Sequence, residues 1–157
     1  MLLFGAGGAA RAVAVELALA GVARFILVNR TPERGHQLRG TVVAASGCEA
    51  VAHRWDGDFR VPAEVDIVIN GTSVGLYDGE ARLALDTSTL RPAQIVADVV
   101  FSPPRTRLLR DAAERGCRTL DGLSMLVDQG VLGVHFWTGV MPDAAVMRQA
   151  LAAAMDI

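Results

Sequence analysis

Two clusters near the start of the chain carry residue types and spacings that suit a phosphate-bearing ligand. One is Gly5-Ala6-Gly7-Gly8-Ala9-Ala10, spaced Gly-x-Gly-x-x-Ala; the other is Asn29-Arg30-Thr31, with Arg34 one helical turn on. A glycine turn of that spacing lets backbone approach a pyrophosphate. A helix opening from the turn points its N-terminal amides and positive dipole end at the anion. When such a fingerprint serves NAD, the second strand usually ends in an acid that bonds the ribose 2′-OH. Asn29 holds that place here, and the guanidinium groups of Arg30 and Arg34 suit a 2′-phosphate that an acid would repel. The chemistry implied is dinucleotide binding, with NADP rather than NAD as the cofactor.

Glycine turns occur without ligands, since glycine adopts positive φ at little cost, so the flanking elements decide the reading. An apolar strand over 1–4 precedes the turn. A helix over 9–20 follows it, with Val13, Leu17 and Ala20 on one face, and a second strand over 25–28 arrives at the required distance. Thr31 and Pro32 then cap and open a helix running to about Ser46-Gly47. A short strand over 49–52 and a loop-like stretch over 54–64, with Asp56-Gly57 as a turn signal, come next. A buried strand over 65–70 stops at Gly71-Thr72-Ser73-Val74-Gly75. Another spans 95–100, followed by a helix over 105–115, a strand near 118–120, and helices near 124–137 and 143–155.

Six apolar strands alternating with amphipathic helices predict an α/β fold. It is a Rossmann-type, doubly wound, parallel six-stranded sheet with helices on both faces, built as one domain over 1–157. Ligands of such sheets bind beyond the carboxyl ends of the strands. The loops after the first, second, fourth, fifth and sixth strands should therefore share one rim.

Composition narrows the function. The chain has 157 residues, 52 % of them apolar, which allows a sizeable core and leaves apolar surface for an interface. No run approaches the roughly 18 uninterrupted apolar residues of a membrane span, and no leader pattern is present. A formal net charge of −2 disfavours nucleic acid as a partner. Cys48 and Cys117 form neither a disulfide framework nor a metal motif, and His36, His53 and His135 lack ligand spacing. The expectation is a metal-free protein of the reducing cytoplasm.

Four separated segments resemble the shikimate dehydrogenase family in its C-terminal NADP-binding domain. They are Gly5 to Arg11, Asn29-Arg30-Thr31 with Arg34, Asn70 to Gly75, and Asp121-Gly122-Leu123-Ser124-Met125-Leu126 with Gln129 and Trp137-Thr138-Gly139. The strand end Asp98-Val99-Val100-Phe101-Ser102-Pro103 fits between the last two. The resemblance implies that the backbone of Gly5, Ala6, Gly7, Gly8 and Ala9 cradles the pyrophosphate. Arg30 and Arg34, beside Asn29 and Thr31, would hold the 2′-phosphate end. Thr72, Ser73 and Val74 would line the nicotinamide-ribose side, with Val99, Gly122 and Met125 near the nicotinamide and Gln129 on the substrate's hydroxyls. Spacings of three and four independently put Gly122, Met125 and Gln129 on one helix face, so Gln129 is expected to be buried or to face a cleft.

Departures from the family matter. Phe101 stands where the family usually has a substrate-touching tyrosine. The missing hydroxyl forfeits a hydrogen bond worth about 0.5–1.5 kcal/mol, which leaves room for quinate or a related ring acid. Gly71 replaces the usual alanine, a change expected to be tolerated. The family's general acid–base pair is a lysine and an aspartate from an N-terminal substrate domain that precedes the first strand. Here nothing precedes that strand, and all fifteen basic residues are arginine. The sequence thus predicts the NADP-binding half of a shikimate dehydrogenase-like enzyme, a fragment or one part of a split enzyme, inactive alone. A final helix over 144–155 without its usual cover would favour a homodimer. Other readings are an NADP-sensing or scaffold module, or an NADP oxidoreductase of glutamyl-tRNA reductase type. The last needs a catalytic cysteine that Cys48 and Cys117 do not provide.

Overall fold

The computed structural model describes residues 1–155. Its first half runs β1 (Leu2–Phe4), α1 (Gly8–Leu19), β2 (Arg24–Asn29), α2 (Pro32–Ser46), β3 (Glu49–Arg54) and β4 (Phe59–Arg60). The second runs β5 (Ile67–Asn70), β6 (Leu85–Asp86), a 3-10 turn (Thr87–Thr89), β7 (Ile95–Asp98), α3 (Arg107–Glu114), β8 (Arg118–Leu120), α4 (Gly122–Thr138) and α5 (Ala144–Ala154). The main sheet has the order β3-β2-β1-β5-β7-β8, with every pair parallel. The chain begins in the middle, winds outward to β3, then crosses back and winds out the other way to β8. Strand order therefore reverses between β1 and β5, and ligands of this architecture bind in the crevice at that switch point.

Alternation along the central strands divides the core. Leu3, Phe25, Leu27 and Ile69 face α1 and α2, whereas Leu2, Phe4, Ile26, Val28, Val68 and Val96 face α3 and the irregular segments beside it. Helices on both faces thus seal the sheet, as the sequence pattern requires.

The buried stripe of α1 is Ala10, Ala14 and Ala18; Val13 and Leu17 flank it, half-buried, and Ala20 is exposed. Small residues spaced by four let the helix lie close to the sheet, where larger side chains would hold it off. Gly71 feels that closeness. Its N–H donates to the Phe4 carbonyl at 2.8 Å, and a β-carbon there would meet Ala10 Cβ at 2.8 Å and Phe4 O at 3.0 Å. Glycine at 71 is thus not merely tolerated but required by Ala10. Gly71→Ala should cost about 1–3 kcal/mol as overpacking, seen as a fall of several degrees in the thermal midpoint. An unchanged midpoint would mean that α1 yields freely.

The stretch expected to be loop over 54–64 contains β4, which pairs in parallel with β6 as a two-stranded ribbon. Tertiary packing makes it: the rings of Trp55 and Phe59 lie 5.0 and 5.9 Å from that of Phe4, and the Trp55 indole donates to Ala84 O at 2.9 Å.

Candidate cofactor site at the switch point

The site begins where β1 turns into α1. Gly5 has φ of 98°, and a β-carbon on it would lie 2.8 Å from the Gly71 carbonyl oxygen. Only glycine satisfies both demands. Ala6 is buried beneath the turn, whereas Gly7, Gly8 and Ala9 are exposed. Gly7 caps α1 without any side-chain hydrogen bond, so the first amides of the helix keep their donors for an external acceptor. β-Carbons at Gly7 and Gly8 would meet nothing within 4 Å. Bare backbone, free amides and the positive end of a helix dipole fit a pyrophosphate.

The β2–α2 turn comes next along the rim. The Asn29 amide nitrogen donates to Thr31 O at 2.8 Å, closing the turn that carries Arg30. Thr31 is the N-cap of α2 with Pro32 at its first position, as expected, although the threonine hydroxyl makes no capping bond. Arg30 and Arg34 are exposed. Arg24, Arg54, Arg60, Arg82, Arg107, Arg110 and Arg148 pair with carboxylates, but Arg30 and Arg34 have no such partner among the described residues. Unpaired cations one turn apart at a helix start suit a phosphate dianion. A cleft of about 260 Å³ joins Arg30 to Val74 across the switch point, with Trp55, Gly57, Arg82 and Ala84 as its other walls. Arg34 does not line it. Neither Trp55 nor Arg82 stands in a motif or spacing that marks it in the sequence; the latter is fixed by two bonds to Asp58, at 2.7 and 2.5 Å.

On the other side of the switch point, β5 and β7 end in register partners, Asn70 and Asp98. Both are almost fully buried, at 1 % and 3 % exposure. Asn70 Nδ2 donates to Asp98 Oδ1 at 2.9 Å and to Val74 O at 3.1 Å. Asn70 Oδ1 accepts from the N–H and hydroxyl of Thr72, at 3.1 and 2.7 Å. The Thr72 hydroxyl oxygen accepts in turn from Val74 N–H at 3.0 Å. Asp98 also accepts from Val100 N–H at 3.0 Å and from the Thr106 hydroxyl at 2.7 Å.

Burial pushes the Asp98 carboxyl above its ordinary value, against the opposing pull of its bonds from Val100, Thr106 and Asn70. A raised value in the folded state means that Asp98 favours the fold at low pH, a contribution lost as pH rises through that value. Acidification from about pH 7 to about pH 4 should therefore stabilise the wild type relative to Asp98→Asn. Urea midpoints of both proteins at the two pH values read this. A relative loss for the wild type would mean that the hydrogen bonds outweigh burial.

α4 meets this region end-on. A β-carbon on Gly122 would lie 2.4 Å from Val100 O and 2.6 Å from Val99 O, so the start of the helix rests on the end of β7. Thr72, Val74, Val99 and Met125 are half-buried, and Ser73 is exposed. Gln129, expected to be buried or cleft-facing, is exposed; α4 has left the sheet by its second turn, beyond buried Leu123 and Val127. Phe101 is half-buried, and the ring of Tyr77 meets it edge-on with centroids 6.5 Å apart. Tyr77, unremarkable in the sequence, is 78 % exposed and has φ of 62°, the one non-glycine residue with positive φ among those described. Its N–H is held by Ser102 O at 2.7 Å. Residues forced into this region cluster at functional sites.

Residues 122–152 match the family described as Shikimate 5′-dehydrogenase C-terminal domain. The NADP(+)-dependent shikimate dehydrogenase of Moorella thermoacetica is 42 % identical over 157 residues, covering 98 % of this chain and 53 % of that protein. Over nearly its whole length the chain is similar to part of the NADP(+)-dependent shikimate dehydrogenases. It spans about half the length of the curated relatives it matches. Among solved structures, the 5-ketofructose reductase of Gluconobacter sp. strain CHM43 superposes with a TM-score of 0.93 at 46 % identity, covering 98 % of this chain and 55 % of that one. The quinate dehydrogenase of Corynebacterium glutamicum, solved with NAD, gives 0.88 at 34 % identity over 97 % and 54 %. The doubly wound parallel fold read from the sequence is therefore the fold of these neighbours.

Proposed function

We propose that this domain binds NADP(H) and forms the cofactor half of a shikimate dehydrogenase-like oxidoreductase that reduces 3-dehydroshikimate to shikimate. The observation that carries the proposal is the pairing of an uncapped glycine turn with unpaired Arg30 and Arg34 at one rim. When bound, the cofactor supplies a hydride. The backbone of Gly5, Ala6, Gly7, Gly8 and Ala9 would hold its pyrophosphate, and Arg30 and Arg34, with Asn29 and Thr31 shaping their turn, its 2′-phosphate. Thr72, Ser73, Val74, Val99, Gly122 and Met125 would orient the nicotinamide end. Phe101 and Gln129 would face the substrate.

Reduction of a ketone also consumes a proton, and this chain has no lysine to deliver it. The domain alone should bind cofactor without turnover, since proton transfer and substrate positioning each contribute orders of magnitude in rate. Calorimetric titration with NADP⁺ and with NAD⁺ tests the reading. NADP⁺ should bind at least tenfold more tightly, about 1.4 kcal/mol; equal or absent binding would favour a scaffold role.

A second substrate reading has a specific support. Phe101 lacks the hydroxyl expected for shikimate, and a structural neighbour at 46 % identity is a 5-ketofructose reductase. A polyhydroxy ketone is accordingly the alternative to shikimate or quinate.

We also propose that the domain self-associates. The C-terminal half of α4 and the approach to α5 expose Leu132, Phe136 (85 %), Trp137 (80 %), Val140 and Met141, whereas Val146 is the large apolar side chain that α5 exposes. Patches of this kind recruit a partner. Light scattering should give a dimer mass, and a monodisperse monomer would count against it. Free Cys48 and Cys117 fit a reducing, cytoplasmic setting, and no described helix is long and apolar enough to cross a membrane.

A further inference from the structure

We propose that the Asn70–Asp98–Thr106 network positions the nicotinamide end of the site, independently of the arginines that hold the adenosine end. The inference rests on the NADP reading above. Asn70 and Asp98 are polar side chains at the ends of otherwise apolar strands, and burying them is costly unless every bonding group is matched. They are matched, and in a particular way: no buried side-chain nitrogen or oxygen lacks a partner among the described residues, and the partners lie in the two loops of the nicotinamide side. Asn70 spends its carbonyl on Thr72 and part of its amide on Val74 O, which dictates the path of 71–74. Asp98 spends Oδ1 on Val100 N–H, fixing the turn out of β7 that carries Val99 and Phe101. Its other oxygen takes the Thr106 hydroxyl, which also caps α3 through Leu109 N–H at 3.4 Å. The Asn70–Asp98 bond of 2.9 Å ties the two loops together across neighbouring strands.

No cation among the described residues joins this network. Among the described residues Asp98 is met only by the donors of Asn70, Val100 and Thr106, so its acceptor geometry, not ion pairing, holds the loops. Arg30 and Arg34 follow β2, two strands from β5 in the sheet, and none of the network's hydrogen bonds reaches them. The two ends of the crevice are thus set by separate hydrogen-bonding systems. Asp98→Asn keeps the volume but turns one acceptor into a donor, which must face either Thr106 or the Asn70 and Val100 donors. Thr106→Val removes a single donor, and Thr106→Ser restores it.

The test separates the ends with two probes, 2′,5′-ADP, which carries only the adenosine half, and NADP⁺. Titrations of the wild type, Asp98→Asn, Thr106→Val and Thr106→Ser are read beside their thermal midpoints. The expected result is that 2′,5′-ADP binds Asp98→Asn and Thr106→Val within about twofold of the wild type. NADP⁺ should lose at least fivefold, and Thr106→Ser should recover most of it. A merely structural role would weaken both probes together, in step with the midpoint, and would overturn the inference; so would unchanged binding of both. Should Asp98→Asn fail to fold, Thr106→Val and its serine rescue carry the same comparison. A wild type that binds 2′,5′-ADP no better than 5′-AMP would overturn the NADP reading itself. A wild type that binds 2′,5′-ADP and NADP⁺ alike would overturn the network's role alone.

Discussion

Replacing Arg30 and Arg34 together by alanine should abolish the preference for NADP⁺ while leaving NAD⁺ affinity nearly unchanged. Hydrogen bonds to a charged partner contribute about 1.5–3 kcal/mol net. Both guanidinium groups are exposed, so solvent screening holds each to about half of that range or less. A loss of roughly 10- to 100-fold in NADP⁺ affinity follows. Single substitutions should each remove part of it, and Arg30→Lys should not restore the wild type, because an ammonium lacks the planar fork that meets phosphate oxygens. Preference should also shrink as salt rises, since exposed charges are screened over about 8–10 Å near physiological ionic strength. Calorimetry at two salt concentrations reads both effects. A double variant that kept its NADP⁺ preference would move the 2′-phosphate elsewhere, and Arg82, across the cleft from Arg30, would be the next group to test.

Much of this arrangement is legible in the sequence, because strong local signals and one global constraint agree. A parallel sheet covered on both faces demands continuous apolar strands, and those of β1, β2, β5 and β7 are unmistakable. The glycine turn and Arg30 are local to one βαβ unit, so their spacing alone places them at one rim. The features that escaped depend on contacts between distant segments. Asn70 and Asp98 are 28 residues apart and meet only because β5 and β7 pair in register. Tyr77 has no periodicity to betray it; its strained backbone shows only once Ser102 is beside it. The β4–β6 ribbon pairs only two residues on each side, so aromatic packing on Phe4 rather than β propensity creates it. Gln129 is exposed rather than buried for the opposite reason. Helical spacing fixes which residues share a face, but not where along the helix that face leaves the protein.

Two glycines in the site should respond to alanine in opposite ways, and the contrast tests how the crevice is built. At Gly122 a β-carbon would sit 2.4 Å from Val100 O and 2.6 Å from Val99 O. These are backbone atoms just past the end of β7, pinned by the bonds from Val99 N–H to Asn70 O and from Val100 N–H to Asp98 Oδ1, each 3.0 Å, so α4 must lift from the end of β7. Gly122→Ala should cost 1–3 kcal/mol or more, about the scale of severe overpacking, and should lower the thermal midpoint by several degrees. Lifting α4 would also displace Met125, proposed to stand at the nicotinamide end, so NADP⁺ affinity should fall with stability. Gly8 heads α1, where a β-carbon meets nothing within 4 Å. Alanine there suits the helix and restricts the unfolded chain, which stabilises by about 0.4–1 kcal/mol where the backbone is compatible. Its methyl group would nevertheless project from the turn proposed to cradle the pyrophosphate. Gly8→Ala should therefore keep or raise the thermal midpoint while weakening NADP⁺ and NAD⁺ alike, because both carry that group. Gly8→Ala binding as tightly as the wild type would place the pyrophosphate away from the helix start. A Gly122→Ala domain as stable as the wild type would mean that α4 is free to shift, and that its first residue has no part in shaping the nicotinamide end.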